Sequence, residues 1–422
     1  MNSQADSGHV QSVSIDMRDP AFRHDPHPML RNLRESGRLA RDVVGVWLIT
    51  HHEDANTALR SRELSREFWR LPFYQKYRPF LADSTLERIV EQWMLFTDPP
   101  THTRLRNLVN DAFKPRVVEA LRERIERLAD ELLGKLPTGN ALEPSFDLMS
   151  GLAQPLPVRV ICDLMGLPFD DFGQTKQWVD ALAVVLEPVI HQEQRLAANK
   201  AAEEMVAYLR NEIAVRRKQR PRDDLLGALL AAHEQSTNSL DSGPNFSEDE
   251  VLGNLILLFI AGHETTTNLI GNGVLTLLQH PSEMNRLRAD PTIAPIAVEE
   301  ILRYEGSVAM INRFTVEPYA VGETVIPVGQ TLMFLFSPIN RDPAVFADPE
   351  RFDVTRSHNP HLSFGAGVHF CLGARLARLE GEIAFNRLLA RFPRLTLTDP
   401  VPRWRKLINL RGLEILILRD AA

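Results

Sequence analysis

The chain has 422 residues, 44% hydrophobic and 24% charged, with a formal net charge of −7; this is ordinary globular composition with material for a large core, and it argues against a nucleic-acid partner. Two cysteines, Cys162 and Cys371, exclude a disulfide-rich scaffold and make a reducing, cytoplasmic setting the simpler expectation. Length alone would suggest two or three domains, but no linker or internal repeat divides the chain, so one domain over residues 14–422 is expected behind a polar tail, 1–13.

In chain order, the tail has no apolar stretch for a signal peptide or anchor, and the longest apolar run, 255–261, is too short to span a bilayer, so no membrane is expected. Residues 28–36 read as a helix stopped by Gly37, and 43–50 as a strand. Residues 64–81 hold Phe68, Trp69, Phe73, Tyr74, Tyr77 and Phe80 without clear period. So dense an aromatic segment is unusual in water, and it either packs on the core or walls an apolar pocket. Asp98-Pro99-Pro100 then opens a helix on which His102 and Arg106 share a face at i, i+4. An amphipathic stripe follows at Val118, Leu121, Ile125, Leu128 and Leu132, ended by Pro137-Thr138-Gly139. More helices are expected through Leu164, over 179–190 and over 196–217, with Val184 in a stretch apolar on nearly every side. Cys162 ends a mostly apolar run and reads as core packing, and 234–245 as a polar connection.

A long helix begins after Ser247, whose pairing with Glu250 is a capping box. Residues 252–260 are apolar almost all round, so this helix is central and buried. It then carries Ala261-Gly262-His263-Glu264-Thr265-Thr266-Thr267. A carboxylate and hydroxyls inside a buried helix are costly unless something uses them, and Thr hydroxyls can bond the i−4 carbonyl and bend the helix. His263-Glu264 does not make a zinc-protease helix, because Thr267 stands four residues after His263. Glu300 and Arg303 follow at i, i+3, and Arg313 ten residues later, with Val308, Ala309 and Met310 between. Strands are expected at 320–325, at 331–335 and over 407–418, where a turn near Ile408 can reach a pocket.

The most distinctive stretch is Phe364-Gly365-Ala366-Gly367-Val368-His369-Phe370-Cys371-Leu372-Gly373. Glycines make a tight turn, and Leu372, Leu376, Leu379 and Ile383 recur at helical spacing after it. Cys371 therefore stands at a helix N-terminus, where the dipole and free N–H groups favour a thiolate. Such a thiolate can be a nucleophile, a zinc ligand or the axial ligand of a haem iron; the third glycine of a dinucleotide loop is missing, and no second local cysteine supports zinc.

This decade resembles the haem-binding loop of the cytochrome P-450 (haem-thiolate monooxygenase) family, and motifs from Asp98 to the C-terminus follow in that family's order. The resemblance implies a mainly α, triangular single-domain fold with small peripheral β-sheets, the haem b (iron protoporphyrin IX) lying between the long central helix and the cysteine loop. It implies Cys371 as the iron ligand; Phe364, Gly365, His369 and Gly373 around it; and His102, Arg106, His369 and Arg313 toward the haem propionates. Ala261 and Gly262 would leave room for oxygen, with Thr265 as the hydroxyl beside it and Glu264 as a proton relay. Glu300 and Arg303 would form a buried structural pair completed from 348–352. The expected substrate pocket comprises Phe68, Trp69, Val184, Leu257, Ala261, Val308, Ala309, Met310 and Ile408. The implied activity is O2-dependent hydroxylation or epoxidation of a hydrophobic small molecule, a secondary metabolite on family grounds, by a monomer taking electrons from a separate ferredoxin and ferredoxin reductase. Arg375 and Arg378 are candidates for docking that ferredoxin. Peroxide-driven oxidation and a non-catalytic haem sensor are the competing readings.

Overall fold

The most apolar long segment of the sequence becomes the axis of the molecule. A computed structural model describes residues 11–81, 84–137, 145–168, 172–219, 224–238, 246–399 and 401–420. In it the central helix runs unbroken over Glu248–Gln279, capped as expected: Ser247 Oγ accepts the Glu250 N–H at 3.1 Å, and the Glu250 carboxylate accepts the Ser247 N–H at 2.9 Å. Among the helices that pack on it are Pro155–Met165, Phe172–Ala183, Ala294–Tyr304 and the ligand helix Ala374–Arg391. Gly262 permits one of these approaches, since a Cβ there would lie 3.1 Å from Ile161. The result is one continuous apolar core with two smaller clusters against a sheet, a mainly helical single domain.

That sheet has six strands in the order Gln11–Val13, Leu39–Asp42, Trp47–Ile49, Thr331–Leu335, Met310–Thr315, Leu64–Ser65. Trp47 pairs parallel with Leu332, which in turn faces Arg313 across an antiparallel pair, so the sheet delivers Arg313 to its place. Three expectations shift. Residues 11–13, read as the end of a tail, pair with Leu39–Asp42, while 1–10 lie outside the described residues. The strand expected over 43–50 is a hairpin of two strands turning at Gly45, whose φ of +94° suits glycine. The helix expected over 179–190 is Phe172–Ala183, followed by one 3₁₀ turn, Val184–Leu186. The polar connection 234–245 falls partly outside the described residues.

Glu300 and Arg303 are wholly buried, and the carboxylate takes two guanidinium bonds of 2.8 Å. The side chains that complete them are Arg356 and Asn359, 3.1 and 3.2 Å from Glu300, and not one from 348–352; that stretch instead offers the carbonyls of Pro349 and Arg351 to Arg303. This knot ties the Ala294–Tyr304 helix to the segment leading to the cysteine loop. Removing one partner strands the other charge, so Arg303→Ala should cost on the order of 3–5 kcal/mol. Denaturant unfolding measures it, and a loss below about 1 kcal/mol would show that the knot is not structural.

Candidate active site

The cysteine loop is shaped by two glycines in the left-handed region, Gly365 at φ +69° and Gly367 at +70°. At Gly367 a side chain is excluded twice over, because a Cβ would stand 2.6 Å from the Leu59 carbonyl oxygen. The Cys371 N–H donates to Phe364 O at 2.9 Å and closes the loop. The helix begins at Ala374, two residues later than the apolar spacing suggests, with Gly373 as its N-cap. Burial pushes the Cys371 thiol up; the N–H groups of Gly373 and Ala374 and the charges of Arg106 and Arg378 act the other way.

The sulfur faces a cavity of about 270 Å³. Its other wall is the central helix at Leu257, Leu258, Ala261, Gly262, Thr265, Thr266 and Leu269. Ala261 is solvent-accessible within an otherwise buried helix because it borders this space. The Thr265 hydroxyl donates back to Ala261 O at 2.8 Å, and Ser307 Oγ donates to Thr265 O at 2.6 Å, yet the helix stays regular.

One edge of the cavity is cationic. His102, Arg106, Arg313 and His369 all line it, as the sequence suggests, joined by Arg66. The His102 and His369 rings lie 4.3 Å apart, and His102 Nδ1 and His369 Nε2 are buried without a hydrogen-bond partner. Burial takes His102 down to about 4 and His369 to about 3, with Arg313 pushing the same way. Buried Arg313 donates only to the Asn312 carbonyl, at 2.9 Å, while Arg106 donates to Val368 O at 3.3 Å. A half-buried thiol facing a largely apolar cavity, with unpartnered imidazole nitrogens and more guanidiniums than carboxylates at one edge, fits iron protoporphyrin IX: the sulfur for the metal, the cations for two carboxylates.

Glu264 is buried but does not line the cavity. Adjacent helical residues point about 100° apart, so when Thr265 faces the space its neighbour faces elsewhere. The Glu264 carboxylate pairs with Arg405, which also donates to Asp180 Oδ1 at 2.9 Å; Asp180 in turn pairs with Lys176. Burial raises the Glu264 pKa and the Arg405 charge opposes it. The chain from Glu264 through Arg405 thus reaches half-exposed Asp180 and Lys176.

The pocket expectations divide. Leu257, Ala261 and Val308 line the cavity. Ala309, Met310 and Ile408 do not: with Val308 they border a neighbouring space of about 60 Å³ beneath the N-terminal segment. Strand alternation explains Met310, since Ile311 and Arg313 face the cavity. Ile408 is drawn away because Glu187 accepts the N–H groups of Ile408 and Asn409 at 2.8 and 3.0 Å. Phe68 and Trp69 are also outside the lining; Phe68 sits edge-on to Trp69, Tyr74 and Phe96 in an aromatic cluster, and the wall here is Met94 and Leu95. Val184 packs on the core. Arg378 is committed to Glu299 and lies over the Phe364 ring, so of the two arginines only Arg375 is exposed. A surface cleft of about 1370 Å³ bordered by Arg60, Arg62 and Arg70 shares Arg313 and His369 with the lining of the site.

Among the lining residues that sequence reasoning did not single out, two are charged, Arg66 and Glu380. Arg66 leaves no periodic trace. Glu380 left one, a carboxylate beside the apolar stripe Leu376, Leu379 and Ile383. It is 2% exposed, Oε2 has no hydrogen-bond partner, and burial raises its pKa well above the usual range.

The sequence profile described as cytochrome P-450 matches residues 45–410. Cytochrome P-450 107B1 of Saccharopolyspora erythraea is 41% identical over 414 residues, 96% of this chain and 97% of its own. The 6-deoxyerythronolide B hydroxylase of the same organism is 36% identical over 425 residues, covering 96% and 98%. The solved structure of the bacillaene polyketide synthase cytochrome P-450 PksS of Bacillus subtilis 168 superposes with a TM-score of 0.84 at 36% identity, covering 97% of this chain and all of the other.

Because the folded state favours neutral Glu380, its contribution to stability is full below the unfolded pKa, about 4.3, and declines as pH rises above it. Glu380→Gln should therefore raise Tm by a few degrees near neutral pH, with the gain shrinking toward about pH 4. Melting curves across pH test this; a gain independent of pH would contradict it.

Proposed function

The chain belongs to the cytochrome P-450 family, haem enzymes of the monooxygenase class, and from that premise we propose that it hydroxylates or epoxidises a hydrophobic secondary metabolite with electrons from a separate ferredoxin and reductase. The observation that carries this reading is the single cavity bounded by the Cys371 sulfur on one side and by Ala261 and Thr265 on the other. The lining is largely aliphatic and aromatic, which suits an apolar substrate. Relatives named for polyketide biosynthesis and for 6-deoxyerythronolide B hydroxylation support a secondary metabolite.

Bound here, the haem supplies reductive O2 activation and oxygen insertion into an unactivated substrate bond. Cys371 would hold its iron, and His102, Arg106, Arg313 and His369 its carboxylates. The apolar walls exclude water and orient the substrate. Thr265 Oγ1 can turn its proton from the Ala261 carbonyl into the cavity. Glu264, kept basic enough by burial to carry a proton, would release its Arg405 bond and resupply Thr265, while Asp180 and Lys176 exchange with solvent. Exposed Arg375, beside the ligand loop, is the residue left for an acidic electron donor.

With ferredoxin and reductase, wild-type protein should form oxygenated product in step with reductant consumed. Thr265→Ala and Glu264→Gln should bind substrate normally yet lose about tenfold or more in product rate, with reductant diverted to peroxide. Unchanged coupling in both would remove the proposed relay, and turnover supported by peroxide alone would favour a peroxide-driven oxidation.

A further inference from the structure

Arg66 is the one cation at the edge of the cavity that the family resemblance does not assign. It is 7% exposed, follows the edge strand Leu64–Ser65, and lies over the Phe96 ring at 5.0 Å. Its hydrogen bonds to side chains and carbonyls all go to neutral oxygens: Nε to Leu95 O at 3.2 Å, Nη1 to Asn312 O at 2.8 Å and to Asn312 Oδ1 at 2.5 Å. These hold the guanidinium through Nε and Nη1, at the edge of the cavity that Cys371 lines.

The local charge does not balance. Arg66 and Arg313 are both buried, and Asp98 is the carboxylate whose field reaches both; neighbouring Glu67 accepts the Asp98 N–H and pairs with Arg70. Asp98 is already engaged by the Ser65 hydroxyl and by the Arg66 N–H at 3.1 Å, and stands 4.0 Å from His369 Nε2. Two guanidiniums against one carboxylate leave an excess of positive charge out of water, an arrangement that persists only where an anion arrives to meet it. The second guanidinium calls for a further carboxylate at the same edge.

We propose that Arg66 is a cofactor-holding residue, its guanidinium forming a charge-assisted contact with a haem carboxylate alongside Arg313. The inference rests on the haem reading above. It gives Arg66 a second task as well: the same side chain joins the Met94–Phe96 wall, through Leu95 O, to the Met310–Thr315 strand, through Asn312. Cofactor binding and the order of that wall are thereby linked through one guanidinium.

The test separates charge pairing from packing by changing both partners. Wild type, Arg66→Gln and Arg66→Lys are each reconstituted with iron protoporphyrin IX and with its dimethyl ester, which lacks the carboxylate charges, and haem release to a scavenger is timed. A charge-assisted contact corresponds to roughly ten- to a hundredfold. Arg66→Gln should release the free-acid haem faster by about that factor, Arg66→Lys should recover most of the difference, and the ester should leave wild type and Arg66→Gln at similar rates. Equal acceleration with both haems would mean that Arg66 acts only through packing, and no acceleration with either would mean that it makes no contact; each overturns the proposal. Wild type that retains neither haem would overturn the haem reading itself.

Discussion

Positive charge held out of water in excess of its internal partners is the constraint on which this site depends. Arg66, Arg106 and Arg313, with the neutral imidazoles of His102 and His369, line one edge of a cavity whose remaining walls are largely apolar, and Asp98 is the carboxylate that opposes Arg66 and Arg313. A protein folds around such an edge when a ligand supplies the missing anions. The same ligand must satisfy a half-buried cysteine sulfur at the other boundary. One planar group with a metal at its centre and two carboxylates at its rim meets both demands, and the chain offers few features there that serve anything else.

The scaffold explains how these groups stay in place. The central helix contributes one face to the cavity, the Leu59 carbonyl presses on Gly367 so that only glycine fits the loop, and the Glu300–Arg303–Arg356 knot anchors the segment that leads into it. Geometry at the metal ligand is therefore set by contacts remote from it, which is how a large core positions a small number of reacting atoms.

Legibility in the sequence followed the reach of the interactions. The capping box at Ser247, the i, i+4 pair His102 and Arg106, and the loop from Phe364 to Gly373 are local patterns, and they led to the right elements. Residues that meet only through tertiary packing were harder. Ala309, Met310 and Ile408 sit near the site in chain order but border the adjoining space, because strand alternation and the Glu187 clamp decide where they point. Phe68 and Trp69, in a segment that either packs on the core or walls a pocket, stack edge-on to each other, and Phe68 also meets Tyr74 and Phe96. Arg356 lay just beyond the stretch expected to complete the buried pair, and Glu264 points away from Thr265 for helical reasons that spacing alone already contained.

The central claim is that Cys371, as a thiolate, holds a haem iron in this cavity. The most direct measurement is the difference spectrum of the reduced protein with and without carbon monoxide. Thiolate ligation predicts the red-shifted Soret band from which the family takes its number, lost in Cys371→Ser. A band characteristic of histidine-ligated haem, or no haem spectrum at all, would contradict the assignment of Cys371 and the mechanism built on it.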